Sequence, residues 1–245
     1  MKFLTAIIFI LTFYGCQPVN NNKHPEKYNS NKIKDLVTQA IDEDSTANIK
    51  LSNLVDFIAD ANKYNSVNVD SLIADKDTVY FIILENENPL YNRFAVYNSE
   101  LTPLLIDKSL NGNISYKTLK TAGKNFIEID ESYLSKDTLQ LNRISLYLVD
   151  SSGVVLSFRT HTKFSEPGNN FTQDITEISD TLVQTKISGP KKSKINGETD
   201  NFVFDPSTRR YSSSQNLFDE FIKKEIENFN YQPVRKEITD TLKTD

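Results

Sequence analysis

Seven glycines, one cysteine, two histidines and no tryptophan are spread over 245 residues, and each shortage removes a class of chemistry. The glycines stand at 15, 112, 123, 153, 168, 189 and 197, never closer than eight apart. A P-loop and a dinucleotide fingerprint both need glycines inside one short turn, so both are excluded. The Gly-x-Ser-x-Gly nucleophile elbow is excluded for the same reason. A single cysteine, Cys16, allows no intramolecular disulfide and no cysteine zinc cluster. His24 lies in a polar N-terminal stretch, so any histidine-dependent step falls on His161. The missing tryptophan removes the best platform for a sugar ring or a cation. A net charge of −5 argues against a nucleic-acid partner, which needs a basic face. No apolar run after residue 16 approaches the ~20 residues of a membrane-spanning helix. No cofactor and no metal site is expected.

What is present begins at the N-terminus. In MKFLTAIIFILTFYGC, Lys2 supplies a positive charge, residues 3–13 are apolar, and Gly15 precedes Cys16. The apolar run is too short to span a bilayer. This order resembles a bacterial lipoprotein signal peptide, although Phe13 and Tyr14 are bulkier than that family's usual residues. The resemblance implies removal of residues 1–15 and acylation of Cys16 as the new N-terminus. More than one acyl chain, at ~0.8 kcal/mol per buried methylene, holds a protein at a membrane where one chain is marginal. In that family an Asp after the cysteine often retains the protein in the inner membrane. Gln17 stands there instead, which points to the outer membrane. Residues 16–30 are polar, Asn-rich and carry two prolines, too little apolar area to fold. They read as a tether.

About 200 residues remain, enough for one domain with a sizeable core, placed at 31–230 with a charged tail at 231–245. Ile33, Leu36, Val37, Ala40 and Ile41 repeat at helical spacing over 31–41, and 42–46 break the pattern. Leu51, Leu54, Val55, Ile58 and Ala61 suggest a second helix with Ser52 as N-cap. Strands follow at 78–84, 93–98, 101–107 and 125–129, with Pro103 marking an edge. Over 143–164, Ile144, Leu146 and Leu148 alternate with polar residues. Asp150 to Gly153 turn the chain, and Leu156, Phe158 and Thr160 alternate again, so a hairpin with one face inside is expected. A second hairpin is expected from 171–178 and 181–188. Short strands at 202–204 and 209–211 flank Asp205-Pro206. Leu217, Phe218, Phe221, Ile222, Ile226 and Phe229 mark a C-terminal amphipathic helix. About ten strands bracketed by three helices, without βαβ alternation, predict an α+β fold that is mainly antiparallel β.

Two groups of residues carry candidate chemistry. Glu128 and Asp130, beside Glu131, share one face of a strand, as a glycosidase pair or an oxygen-ligand calcium site requires. Acidic residues at a strand end are also commonly just solvated. Arg159, His161 and Lys163 alternate on one strand face. They read as a basic stripe for an anionic group or as cations that blunt an exposed edge. Lys191, Lys192 and Lys194 form a basic loop of the ordinary solvated kind. The expected function is a membrane-anchored envelope protein whose domain binds an envelope protein or a small ligand without catalysis. The alternatives are a carboxylate-dependent hydrolase of glycan or peptide, and an inhibitor or immunity lipoprotein.

Overall fold

The computed structural model describes residues 28–56, 64–74, 77–121, 123–135 and 139–228. Cys16, most of the tether, Ile58, Ala61 and the 231–245 tail lie outside them.

Two helices open the described chain, α1 (Ser30–Ile41) and α2 (Ser45–Lys50). Asn29 caps α1 by accepting from the Lys32 N–H at 3.0 Å. Ile33, Val37 and Ala40 recur on one side and are fully buried. Asp44 caps α2 through the Thr46 and Ala47 N–H groups. The second helix therefore begins earlier than expected, and Leu51, Leu54 and Val55 are not on it. Ser52 and Asn53 both sit at φ 56°, a left-handed backbone that ends a right-handed helix, so Ser52 is no N-cap. The three apolar residues are core all the same. Buried Asn48 holds their loop, donating to the Val55 carbonyl at 2.8 Å and accepting from its N–H at 3.0 Å.

The rest is mostly antiparallel β, in two sheets. The first contains β1 (Tyr64–Ala74), β2 (Asp77–Asn86), β3 (Arg93–Tyr97) and β4 (Pro103–Asp107) in that order. Pro103 is on an edge strand, where its missing N–H costs no ladder bond. The second contains β5 (Asn113–Thr121), β6 (Lys124–Ser135), β7 (Leu139–Asp150), β8 (Gly153–Glu166), β9 (Asn169–Ile178), β10 (Leu182–Ser188), β11 (Thr199–Asp205) and β12 (Arg210–Ser212). Helix α3 (Leu217–Asn228) follows. Among the described residues twelve strands replace the expected ten or so; the expected predominance of antiparallel β holds, but with so few helical residues the fold is mostly β rather than clearly α+β. The strands not expected are β1 and β5, both at sheet edges. Their Asn, Ser, Thr and Lys content hides the alternation that buried strands display.

The layers explain the apolar pattern. Tyr80, Ile82 and Leu84 of β2 pack under α1 and α2 with Val37 and Leu54. Phe81 and Ile83 face the second sheet and meet Ile127, Ile129, Tyr147 and Val149. A strand buried on both faces reads as a continuous apolar run, which is what 78–84 is. The opposite face of β6–β8 packs Phe126, Leu146 and Phe158 against Val183, Phe202 and Tyr211, because β9–β12 curl back beneath. Helix α3 covers a fourth cluster through Phe218 and Ile222, over Phe164 and Phe171.

The β7–β8 hairpin forms as expected, with its turn at Asp150–Gly153. It is buried on both faces, not one. Ser145 and Tyr147 are fully buried between the sheets. A bulge moves its register too. Tyr147 pairs with Leu156 and Leu146 with Phe158, leaving Ser157 as the extra residue. Leu156 therefore faces the first sheet and Phe158 the second core. The expectation that they share a face is overturned.

Candidate functional site

Glu128 and Asp130 of β6 pair across the ladder with Leu146 and Ile144 of β7. All four side chains point away from the first sheet. Glu128 is 5% exposed. Lys117, directly opposite on β5, places its Nζ 2.6 Å from Glu128 Oε1. Asp130 stands two residues along on the same strand face, next to the Glu128 carboxylate. Burial, then the charge of Glu128, pushes Asp130 up to about 6 against the opposing pull of Lys117.

These side chains floor a groove of about 660 Å³, within the usual range for ligand sites. Asn142 and Ile144 extend the floor along β7, and residues 172–178 of β9 form the facing wall. Asp174 and Glu177 add two carboxylates to that wall. The lining contains no aromatic ring.

The expected basic stripe is split. Asn142 pairs with Lys163 and Arg143 with His161, so Thr162 is a bulge residue between them. Lys163 consequently turns to the groove side, where its Nζ donates to Gln140 Oε1 at 2.8 Å. Arg159 and His161 stay on the other face, and neither is a solvated edge cation. Arg159 donates to Asp107, Tyr147, Ser145 and Ser109 between the sheets, at 2.7–2.8 Å. Burial would raise Asp107, but hydrogen bonds from Ser109 and Tyr147 and the charge of Arg159 bring its carboxyl down to about 2. His161 is half-buried and pins the first turn of α3. Its Nδ1 lies 2.8 Å from Asp219 Oδ1, and its backbone N–H donates to the same oxygen at 2.9 Å. Lys191, Lys192 and Lys194 are exposed, as a solvated loop should be.

Of the five candidates, the structure thus gathers Glu128, Asp130 and Lys163 and leaves Arg159 and His161 elsewhere. Lys117, Asp174 and Glu177 were missed. Recognising β5 would have placed Lys117 across from Glu128. Nothing local signals that β9 passes beneath β6. Among the described residues no set of three or more His, Cys, Asp or Glu side chains converges to hold a metal, and no helix is long and apolar enough to cross a membrane. No family model, no curated protein and no solved structure matches the chain.

The raised titration of Asp130 has a thermodynamic consequence. Asp130 titrates higher in the folded state than in the unfolded chain, so the folded state binds more protons between about pH 4 and 6. Its contribution to stability is present below pH 4 and is lost as pH rises through 6. Asp130→Asn keeps a donor for Glu128 and has no proton to lose. Melting temperatures across this window should fall less steeply for Asp130→Asn than for the parent. Parallel profiles would mean that burial and the charge of Glu128 do not raise Asp130.

Proposed function

We propose that this chain is a lipid-anchored envelope protein, tethered through Cys16 to the outer membrane, whose β domain binds a ligand or partner segment in the Glu128–Asp130 groove. The observation that carries the binding reading is the groove itself, an open concavity that sets charged residues of both signs among Leu119, Ile144, Ile175 and Ile178. The pairing of Glu128 weighs against glycoside hydrolysis, which needs two available carboxyl groups. Glu128 is already held by Lys117, whose Nζ lies 2.6 Å from its Oε1, which weighs against a free acid or nucleophile there. The hydrolase alternative keeps one supporting observation, the raised titration of Asp130.

The anchor is tested at Cys16. Cys16→Ala should move the protein from the membrane fraction to soluble or unprocessed forms, and should remove the acyl mass from the N-terminal peptide. A variant that is processed normally and still fractionates with membranes would end the lipoprotein reading.

A further inference from the structure

Resting on the groove as the binding site, we infer that its occupant is an extended peptide bearing Lys or Arg, which adds as a strand to the open edge of β9. The β8–β9 ladder stops at Lys163–Thr172, while β9 stays paired with β10 as far as Ile178–Val183. Beyond Thr172, one edge of β9 therefore has no strand beside it among the described residues. Side chains alternate along a strand, so a wall made of the consecutive residues 172–178 is an edge rather than a face.

The direction of the backbone groups follows from β10. The Ile187 N–H donates to Glu198 O and its carbonyl accepts from the Gly197 N–H, both on the β11 side. Gln173, opposite Ile187, is then in a non-hydrogen-bonded pair and turns its N–H and C=O away from β10. Ile175, opposite Thr185, does the same and lies past the end of the β8 ladder. The Gln173 side chain donates to Thr160 Oγ1 and His161 O at 2.9 Å, which ties β9 to β8 beside that end of the groove. Strand addition uses such an edge for affinity and flanking side-chain pockets for specificity.

Charge selects the peptide. The charged residues lining the groove are Lys117 on β5, Glu128 and Asp130 on β6, Lys163 on β8, and Asp174 and Glu177 on β9. Lys117 is already paired with Glu128, and Lys163 is held by Gln140. The balance toward the occupant is negative, and the aliphatic stem of a Lys or Arg fits over Ile144 and Leu119.

The experiment is amide NMR on the mature full chain in micelles at pH 7. The probe is an acetylated, amidated octapeptide of alternating Thr and Lys. It should shift the amides of residues 173–178 and slow hydrogen exchange at Ile175. Methylating the amides along one peptide edge should raise Kd by about tenfold or more, as should Glu128→Gln with Asp130→Asn. The Thr-Glu octapeptide should not bind. If N-methylation is without effect and spermidine displaces the peptide, the groove is a cation site and strand addition is wrong. If the peptide shifts only residues outside the groove, the groove reading falls with it. Absence of any shift at millimolar peptide overturns the strand-addition proposal alone.

Discussion

Phe158→Ala lowers the unfolding free energy by about 3–5 kcal/mol. The ring is 2% exposed and meets Phe202 edge-on, with centroids 4.9 Å apart. It sits where the two halves of the second sheet face each other, among Leu146, Val183 and Tyr211. Truncation leaves a cavity that the surrounding packed strands cannot collapse to fill. The neighbouring Ser157→Ala tests the bulge. From alternation alone Ser157 is a surface residue, and its loss is neutral. In the structure it is 1% exposed, and its Oγ donates to the Arg209 carbonyl at 2.8 Å. Its removal should cost about 1–2 kcal/mol, from one buried acceptor left unpaired. Denaturant midpoints for the two variants check both numbers. A neutral Ser157→Ala would restore the bulge-free register.

Arg143→Met should cost a similar amount, about 3–5 kcal/mol, through a charge left behind rather than a cavity. Glu131 is 3% exposed. Arg143 grips both its oxygens, with Nε 2.8 Å from Oε2 and an Nη 2.7 Å from Oε1. The same Nη donates to the Ser109 carbonyl, and Glu131 accepts from the Asn111 N–H. These contacts fasten the crossover from β4 to β5, and so the first sheet to the second. The double variant Arg143→Met with Glu131→Gln should recover part of the loss, because no buried charge is then unpaired. If the double variant is no more stable than the single, the ion pair is not what holds the crossover.

Residues that obey a simple period were legible in the sequence. The run 78–84, the β7–β8 turn and the amphipathic 217–222 segment each announce themselves through spacing or turn chemistry. Pro103 marked its edge for a covalent reason. What was hidden depends on partners distant in sequence. The polar edge strands β1 and β5 become strands because β2 and β6 offer a ladder. Two bulges, at Ser157 and Thr162, reverse which side chains share a face, and no local residue type demands them. The second bulge divides the Arg159, His161 and Lys163 stripe. Glu128 and Asp130 were correctly placed together by alternation alone. Their place in a groove, and the ion pair at Glu128, come from β9 curling beneath and from Lys117 on a strand that the pattern did not show.

The groove is tested most directly by a photo-crosslinking side chain placed at Thr176, which is exposed on the β9 wall, and in parallel at Lys120, which is exposed on β5 and does not line the groove. Irradiation of intact envelope, followed by mass identification of the adduct, reports what occupies the site. The account predicts an adduct from position 176 that is absent from position 120. It also predicts its loss in the Glu128→Gln, Asp130→Asn background at matched folded fraction. The same adduct from both positions, or one from 176 that survives removal of the two charges, would contradict it.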